Sequence, residues 1–266
     1  MHSVTHGEGT PLLMIHGFCV DHRLLLSLEP VFAANDGWQR VYVDLPGMGQ
    51  SPAGPDIHGA EAVAARISAF IKETFGTRPF AVLGNSFGGL MARRVVSDFG
   101  EQVLGLALLC PVVFASHADR TVPARTVLHR DPAVTESLDP EDAKDYSDIA
   151  VIESQGNWEL FRDYALPGLR AFDRRAIGRI AARYALDSQP EATEYLGPTI
   201  IITGRQDHVV GYRDAFELLE YYPRATISVI DGAGHNAHLD QPDVVHALLE
   251  EWLNRVAMSR VSEVSR

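Results

Sequence analysis

Cysteine is scarce in this chain: Cys19 and Cys110 are the two thiols among 266 residues. Two cysteines in a chain of this length exclude a disulfide-stabilised scaffold. A long hydrophobic run is missing as well. The longest mainly apolar stretch covers residues 103–115 and contains Pro111, whereas a helix that spans a membrane needs roughly 20 apolar residues. Residues 1–7 hold neither a basic nor an apolar segment, so the sequence predicts no signal peptide and a cytoplasmic protein.

Positive charge is in deficit. The 23 Lys and Arg residues face 35 Asp and Glu residues, which gives a formal net charge of −12. Binding of nucleic acid requires a basic surface for the phosphates, so this balance argues against nucleic acid as a partner and gives no help to a polyanionic substrate. The histidines lack the spaced cysteines or acidic residues typical of a zinc site, and no phosphate loop or dinucleotide motif is present. We therefore predict no metal, no cofactor and no membrane partner.

Apolar residues are plentiful and stand in short runs. Hydrophobic residues make up 46% of the sequence, enough for a large core and with no apolar face left over that would predict an oligomer. Six runs are continuous rather than alternating, as in parallel strands covered on both faces, and helical patterns separate them. This order predicts an α/β fold with a mostly parallel sheet flanked by helices. The predicted strands are residues 12–15, 41–43, 80–83, 104–109, 199–203 and 226–230.

Residues 113–195 interrupt the alternation. They contain no convincing strand and predict an inserted, mostly helical subdomain, with residues 1–112 and 196–266 forming the core. The first part of the insertion, residues 113–163, has 11 acidic and 5 basic residues, and the second part carries a stripe of arginines at helical spacing. Either the arginines pair with the acidic part, or they bind an anionic group of the substrate. The stripe consists of Arg170, Arg174, Arg175, Arg179 and Arg183.

The most informative motif is Gly-Asn-Ser-Phe-Gly-Gly at residues 84–89. It fits the pattern G-x-S-x-G and stands between a predicted strand and a predicted helix, which is the context of a nucleophile elbow. In such an elbow a sharp turn holds the serine in a strained conformation with its Oγ exposed. The N-terminus of the following helix then faces the point where negative charge develops. Ser86 is therefore the predicted nucleophile.

A serine nucleophile needs a base and an acid that orients the base. Asp207 follows the fifth predicted strand, and His235 follows the sixth, directly behind Gly-Ala-Gly. Both residues would lie at the carboxyl edge of the sheet, where open α/β sheets bind ligands. The chain order Ser86, Asp207, His235 is one of the known orders of a catalytic triad, so we predict that these three residues are catalytic.

Other histidines and acids lie close to this pair in the sequence. His238 is three residues from His235, His208 adjoins Asp207, and Asp231 comes directly off the sixth strand. A base at His208 would leave Asp207 badly placed to orient it. Asp231 is too close in sequence to reach around His235. These residues remain alternatives to the favoured pair.

The oxyanion of the reaction needs backbone donors. The first predicted strand ends in His-Gly-Phe-Cys at residues 16–19, and the N–H of Phe18 can point to the site together with the N–H of Phe87. The alternative for this segment is a tight turn with a structural histidine. Cys19 lines the substrate pocket or serves as a small buried hydrophobe, and Cys110, at the end of a core strand, is expected to do the latter.

Five segments together resemble the α/β-hydrolase superfamily, in its subclass with a serine nucleophile. The resemblance covers residues 7–256 and implies a mostly parallel sheet, an inserted helical cap and a catalytic triad. The family commonly opens with a two-stranded hairpin. Since few residues precede the first apolar run, we expect the N-terminal edge of the sheet to be shortened. The segments are residues 16–18, 44–51, 84–89, 204–207 and 232–235.

The resemblance also bears on the subclass. A serine at the elbow disfavours haloalkane dehalogenases and epoxide hydrolases, which place aspartate there. The elbow is similar to that of carbon–carbon bond hydrolases of aromatic degradation. Those enzymes usually carry Trp after the catalytic histidine, however, and this chain has Asn236. Residues 234–242 look more like the corresponding segment of esterases and enol-lactonases.

The expected function is that of a cofactor-independent serine hydrolase. It would cleave a small to medium, mainly apolar carboxylic ester or lactone through an acyl-enzyme. A carbon–carbon bond hydrolase of a dienoate-type substrate and a halide-dependent perhydrolase are the alternatives among enzymes, and a ligand-binding protein that retains the triad is the alternative from another class. Aromatic residues of the cap are expected to line an apolar pocket over Ser86, namely Trp158, Phe161, Tyr164 and Phe172.

Overall fold

The computed structural model describes residues 1–191 and 193–264 of the chain. Within these residues, seven strands form one sheet in the order β1-β3-β2-β4-β5-β6-β7, and every neighbouring pair is parallel except β1 with β3. The six predicted runs are strands β2 to β7, which confirms the α/β sheet. The strands are β1 (Ser3–His6), β2 (Thr10–Ile15), β3 (Trp38–Val43), β4 (Phe80–Asn85), β5 (Val103–Leu109), β6 (Thr199–Gly204) and β7 (Ala225–Ile230).

Helices cover the sheet. The central strands are buried along nearly their whole length, which requires that both faces are covered. The α-helices are α1 (Arg23–Leu26), α2 (Glu29–Ala33), α3 (Ala60–Thr74), α4 (Phe87–Phe99), α5 (Pro132–Glu136), α6 (Pro140–Ile149), α7 (Gln155–Leu160), α8 (Leu166–Leu169), α9 (Arg174–Ala181), α10 (Ala237–Asp240) and α11 (Pro242–Val264). A π-helical turn, Phe161–Ala165, joins α7 to α8, and 3₁₀ helices cover Gly100–Gln102, His117–Asp119 and Asp214–Glu220. None of the helices in the described part of the chain combines the length and the apolar character that crossing a membrane requires.

The N-terminal edge of the sheet is short, as expected. β1 has four residues and pairs antiparallel with β3 rather than with β2, so β1 and β2 do not form a hairpin. The apolar pattern did not reveal β1, because Ser-Val-Thr-His contains a single apolar residue and the strand lies at an edge of the sheet. Edge strands are often short and polar, which discourages pairing with another chain.

The residues between β5 and β6 carry helices α5 to α9 and, in their described part, isolated bridges but no strand. They pack over loops at the carboxyl ends of the strands. The N–H of Asp173 donates to the carbonyl of Gly47, after β3, at 2.8 Å, and Nδ2 of Asn157 donates to the carbonyl of Leu239, after β7, at 3.0 Å. Most of a second hydrophobic core comes from this insertion, with three aromatic rings in contact, those of Tyr146, Trp158 and Phe161. Leu24 of α1 and Leu239 of α10 complete it.

Candidate active site

Ser86 stands between β4 and α4 in a strained backbone conformation, with φ 54° and ψ −117°. A positive φ at a residue other than glycine costs on the order of 1–3 kcal/mol, so the surrounding structure must hold it. The N–H of Ser86 donates to the carbonyl of Leu109 at 3.0 Å, and the N–H of Val112 donates to the carbonyl of Ser86 at 3.0 Å. The end of β5 and the residues after it therefore fix the turn on both sides.

Two glycines of the motif let the elbow pack tightly. A Cβ on Gly84 would lie 2.2 Å from the carbonyl oxygen of Gly88, and a Cβ on Gly88 would lie 2.2 Å from the carbonyl oxygen of Ile15. Both separations are far inside van der Waals contact. The pattern G-x-S-x-G is thus required here because the first turn of α4 presses against the ends of β4 and β2.

The side chains of Ser86, His235 and Asp207 form a continuous hydrogen-bonded relay. Oγ of Ser86 lies 2.9 Å from Nε2 of His235, and Nδ1 of His235 lies 2.9 Å from Oδ2 of Asp207. An ionised carboxylate can only accept, so Nδ1 carries the ring proton and Nε2 is left to accept the proton of the serine hydroxyl. The geometry is that of a nucleophile, a base and a group that orients the base.

Asp207 is fully buried and uses its two oxygens differently. Oδ1 accepts the N–H groups of Val209 at 2.9 Å and Val210 at 3.0 Å. Oδ2 remains for the imidazole of His235. The backbone of the loop after β6 therefore fixes the orientation of the carboxylate that the imidazole contacts.

Gln206, which the sequence analysis did not single out, joins the loop of Asp207 to the loop of His235. Its N–H donates to the carbonyl of Ala233 at 2.9 Å, and its Oε1 accepts the N–H of Ala233 at 3.2 Å. Its Nε2 donates to Asp231 at 2.8 Å, so the alternative acid contacts Gln206 and not the imidazole. The position next to Asp207 is the only sequence signal that pointed to this glutamine.

The loop after β2 lies against the elbow. A Cβ on Gly17 would come within 3.2 Å of the Cβ of Ser86, so Phe18, the next residue, belongs to the segment beside the serine. Phe87 is the first residue of α4, and its N–H is one of those that a helix leaves without an intrahelical partner at its start. The structure thus brings both segments of the predicted oxyanion donors to Ser86.

His16 holds this loop in place. The N–H of Leu45 donates to Nε2 of His16 at 2.9 Å, so Nδ1 carries the proton and donates to the carbonyl of Gly17 at 2.7 Å. Burial lowers the pKa of His16, which keeps the ring neutral. The histidine is therefore structural, and the residues that it fixes are those next to the serine.

The alternative bases differ from His235 in their surroundings. His238 is fully buried, and its pKa is lowered to about 3. Burial is the main cause, and the nearby His235 adds to it. His208 is partly exposed, and burial lowers its pKa as well. The ring that reaches Ser86 is that of His235.

The aromatic residues predicted for the pocket lie mostly inside the insertion. Trp158 and Phe161 belong to its buried core, and Tyr164 packs against that core. Phe172 is bridged to Met48 and packs against the main core. The sequence could not distinguish rings that fill the insertion from rings that face the serine.

Three other rings lie next to the elbow. The ring of Phe18 is 5.4 Å from that of Phe87 and 5.2 Å from that of Tyr184, and the rings of Phe87 and Tyr184 are 4.7 Å apart. Phe18 and Phe87 belong to the predicted motifs, so their position could have suggested this role. Tyr184 comes from the insertion, and no sequence signal marked it.

The arginine stripe is engaged with protein groups or exposed. Arg170 pairs with acidic residues of the same insertion, at 2.8 Å from Asp142 and 2.7 Å from Asp145. Arg179 donates to backbone carbonyls, including that of Ile57 at 3.1 Å. The remaining three are exposed: Arg174, Arg175 and Arg183. Arg170 therefore follows the pairing interpretation, and Arg179 is held by backbone groups.

The two thiols are free. Cys110 is fully buried, and burial raises its pKa. Cys19 is partly exposed, and burial raises its pKa to about 11. Neither thiol is therefore a nucleophile near neutral pH.

Asp240 connects the insertion to the loop of His235, a link that the sequence analysis missed. Its Oδ2 accepts the N–H of Gly234 at 2.8 Å, and its Oδ1 accepts Nδ2 of Asn157 at 3.1 Å. Burial raises the pKa of this carboxyl to about 7, although both hydrogen bonds favour the ionised form. Gly234, the residue before His235, is thus hydrogen-bonded to a carboxyl group that also contacts Asn157 of α7.

Comparison with known proteins gives consistent matches. The model of the alpha/beta hydrolase family matches residues 12–248. Monoacylglycerol lipase ABHD6 of Bos taurus is 25% identical over 264 residues, which cover 94% of this chain and 77% of the relative. The 2-hydroxy-6-oxononadienedioate/2-hydroxy-6-oxononatrienedioate hydrolase of Burkholderia vietnamiensis is 24% identical over 232 residues, which cover 84% of this chain and 78% of the relative.

Solved structures show the same architecture. An alpha/beta superfamily hydrolase from Oenococcus oeni superposes with a TM-score of 0.88 at 27% identity, over 96% of both chains. The esterase EaEST from Exiguobacterium antarcticum superposes with a TM-score of 0.66 at 19% identity, over 95% of both chains, and this likeness shows the fold alone. The four proteins named here are described as a lipase, an esterase and two hydrolases.

Proposed function

Because the chain belongs to the alpha/beta hydrolase family and is a hydrolase, we propose that it cleaves small to medium, mainly apolar carboxylic esters or lactones with Ser86 as the nucleophile. One observation carries the proposal: the imidazole of His235 lies 2.9 Å from Oγ of Ser86 and 2.9 Å from Oδ2 of Asp207. These are the contacts that convert a serine hydroxyl into a nucleophile near neutral pH.

The first half of the reaction forms an acyl-enzyme. Nε2 of His235 takes the proton of Ser86 as Oγ attacks the carbonyl carbon of the substrate. The ring becomes an imidazolium ion, which the carboxylate of Asp207 stabilises through Nδ1–H. When the tetrahedral intermediate collapses, the alkoxide leaving group takes the proton from Nε2 and the acyl group remains on Oγ. In a lactone, the alcohol formed in this step stays attached to the acyl chain.

The negative charge of the tetrahedral intermediate falls on the carbonyl oxygen. The N–H groups of Phe18 and Phe87 serve as its donors, since both belong to segments that pack against Ser86. Loss of one such donor typically slows an acyl transfer on the order of 100–1,000-fold. The neutral ring of His16 supports the Phe18 side through its hydrogen bond to Gly17.

The second half of the reaction releases the acid. A water molecule takes the place of the alcohol, gives a proton to Nε2 of His235 and attacks the acyl carbon. Collapse of the second tetrahedral intermediate returns the proton to Oγ of Ser86 and restores the relay. The same base thus serves twice, and the chemistry needs only groups that the chain itself supplies.

The surroundings of the serine favour an apolar substrate. The rings of Phe18, Phe87 and Tyr184 pack together beside the elbow. The insertion, residues 113–195, acts as a cap over the carboxyl edge, and its own aromatic core gives it a defined shape. In this proposal four aromatic residues determine the size of the pocket through the fold of the cap, namely Trp158, Phe161, Tyr164 and Phe172.

Cleavage of a carbon–carbon bond in a dienoate-type substrate is the second candidate. The relative from Burkholderia vietnamiensis supports it by its name, as does the similarity of the elbow. A dienedioate carries two carboxylates and needs cationic partners. Arg170 is paired with carboxylates and Arg179 with backbone carbonyls. The ester or lactone is therefore the better supported substrate.

The test is hydrolysis of the acetate, butyrate and octanoate esters of p-nitrophenol. The wild-type enzyme should release p-nitrophenol with an initial burst and then in a steady state, and Ser86→Ala should lose both phases. Ser97→Ala, at an exposed position of the same helix α4, is the matched control and should behave as wild type. The preferred chain length reports the size of the pocket.

Two outcomes would contradict the proposal. Equal, slow release by the wild type and Ser86→Ala on all three esters would exclude Ser86 as an esterase nucleophile. Turnover of a dienoate-type dicarboxylate with no activity on esters would favour the carbon–carbon bond hydrolase.

A further inference from the structure

Three side chains of the types that bind metal ions meet in a cluster that includes no member of the relay. His2 precedes β1, His22 is the residue before α1, and Asp44 follows β3 directly. One ligand atom from each lies within 4.8 Å of the other two. No motif spacing connects these residues in the sequence. They meet because β1 pairs with β3 and the loop after β2 lies beside both.

The distances in this His2/His22/Asp44 cluster leave one nitrogen without a role. Nδ1 of His22 is hydrogen-bonded to Oδ1 of Asp44 at 2.8 Å. Nε2 of His2 is 4.0 Å from Oδ2 of Asp44, which is too long for a hydrogen bond. This Nε2 atom is buried and has no hydrogen-bond partner among the described residues. A buried polar atom of this kind calls for a partner.

A shared ion fits these separations. Zinc binds imidazole nitrogen at about 2.0–2.1 Å and carboxylate oxygen at about 2.0–2.2 Å, so two of its ligands lie roughly 3.4 Å apart in a tetrahedron. Nε2 of His2 is 4.0 Å from Oδ2 of Asp44, which is longer than this value, and Nδ1 of His22 is 2.8 Å from the other oxygen, Oδ1, which is shorter. Shifts of about half an ångström at each pair would give both the same ligand spacing.

The charge of the cluster also suits a cation. Asp44 is fully buried. Within the described part of the chain, its ion-pair partners at up to 4.0 Å are the rings of His2 and His22, and no Lys or Arg is among them. The N–H groups of His22 and Gln50 each donate to the carboxylate at 2.9 Å, which fixes its orientation. Two imidazoles and one oriented carboxylate form a donor set for a divalent transition metal.

We propose that the His2/His22/Asp44 cluster binds one Zn²⁺ ion, with a water molecule as the fourth ligand. The protein ligands are Nε2 of His2, Nδ1 of His22 and the carboxylate of Asp44. The ion needs a lone pair on Nδ1 of His22, so a neutral ring moves its proton from Nδ1 to Nε2, and an imidazolium ring releases its Nδ1 proton to solvent. The site is independent of the relay and of the proposed esterase activity.

A bound ion would tie together segments that support the oxyanion loop. His22 lies four residues after Phe18 in the sequence, and Asp44 precedes Leu45, whose N–H holds His16. Zinc would therefore fix the far end of the segment that starts at His16. The expected effect is higher thermal stability of the protein, with its catalytic groups unchanged.

Calorimetric titration of the untagged, full-length protein with ZnCl₂, after removal of metals with a chelator, tests this site. The wild type should bind one Zn²⁺ per chain, and its thermal unfolding midpoint should rise in zinc. His2→Ala should weaken binding at least on the order of 100-fold, because even the loss of a residue behind a ligand typically costs 10–100-fold. In the same variant, the zinc-dependent rise of the midpoint should disappear.

His6→Ala is the matched control, since His6 lies on the adjacent strand β1 and pairs with Glu29 at 3.2 Å. It should bind zinc as the wild type does. Because the side chain of His2 is partly exposed, its removal should leave the metal-free protein folded, which circular dichroism verifies. Absence of saturable binding in the wild type, or equal affinity in the wild type and His2→Ala, would overturn the proposal.

Discussion

Asp207 performs two tasks with one carboxylate. Oδ1 accepts two backbone N–H groups of its own loop, and Oδ2 accepts Nδ1–H of His235. An amide at this position has one oxygen and one NH₂ group. If the amide oxygen stays with the backbone N–H groups, the NH₂ group faces Nδ1 of His235. Nδ1 must then accept, so the proton of the imidazole ring moves to Nε2. The ring would then present a proton, not a lone pair, to Ser86.

Asp207→Asn should therefore abolish most of the activity without unfolding the protein. We expect kcat on p-nitrophenyl esters to fall on the order of 10⁴-fold, as in other triads where the wrong tautomer forms, while KM changes little. Steady-state kinetics measure both. Asp231→Asn, which alters an exposed acid next to the same loop, should retain activity within a few-fold. A variant at Asp207 that keeps more than a tenth of the wild-type kcat would argue against this role.

Among the connecting elements, the link from α7 through Asp240 to the loop of His235 has the clearest pH dependence. Burial raises the pKa of Asp240 to about 7 from 3.8. The folded protein therefore holds this proton more tightly than the unfolded chain does. The carboxyl stabilises the fold fully below about pH 4, and this contribution is lost as the pH rises through about 7.

Asp240→Asn should flatten that part of the stability profile, because an amide does not titrate. Denaturant unfolding of the wild type and the variant at several pH values between 4 and 8 gives the free energy of unfolding of each. The difference between the two curves should change with pH in this interval, with the wild type losing stability relative to the variant as the pH rises. Asp243→Asn, at an exposed position of α11, is the control. Parallel curves for Asp240→Asn and the wild type would show that Asp240 titrates normally.

The same elements show why some features were predictable from the sequence and others were not. Strands β2 to β7 follow from apolar runs, because a strand covered on both faces has little room for polar residues. The meeting of Ser86, Asp207 and His235 follows from their places at the carboxyl ends of strands. The aromatic side chains are different. Whether Trp158 or Tyr184 faces the serine depends on how helices α5 to α9 fold back, and residue type and spacing do not encode that.

Contacts between residues distant in the chain could not be predicted from the sequence for a related reason. His2, His22 and Asp44 meet through the strand order of the sheet, which hydrophobic patterns alone do not give. Gln206 is a loop residue whose hydrogen-bond partners, Asp231 and Ala233, belong to the neighbouring loop. Such pairings become visible only when the order of the strands and the path of each loop are known.

On the scale of the whole molecule, a buried ion pair joins the insertion to the core. The side chains of Arg93, on α4, and Glu191, near the end of the insertion, are each 1% exposed. Nη2 of Arg93 is 2.7 Å from Oε2 of Glu191, and Nη1 donates to the carbonyl of Val112 at 2.8 Å. The hydroxyl of Tyr222 donates to Oε1 of Glu191 at 2.9 Å. The helix that begins after Ser86 is thus anchored to the returning end of the insertion.

Removing one partner of this pair should destabilise the protein strongly. Glu191→Leu leaves the guanidinium of Arg93 buried without its carboxylate, which typically costs 3–5 kcal/mol. Arg93→Met together with Glu191→Leu should cost less than the sum of the single changes, since no buried charge remains. Urea unfolding followed by circular dichroism gives the complete double-mutant cycle. Lys144→Met, which breaks an exposed ion pair, should change stability little, and additive effects of the two buried changes would contradict the coupling.

The insertion leaves the sheet after β5 and re-enters at β6, and these two strands are neighbours. Its removal or replacement would not change the order of the strands. A cap from another enzyme could therefore be grafted between residues 112 and 196 as an exchangeable module, and substrate range could evolve by such exchanges while the chemistry stays on the sheet. Among the contacts that a successful graft would have to reproduce are the one that Asn157 makes with Asp240 and the one that Glu191 makes with Arg93.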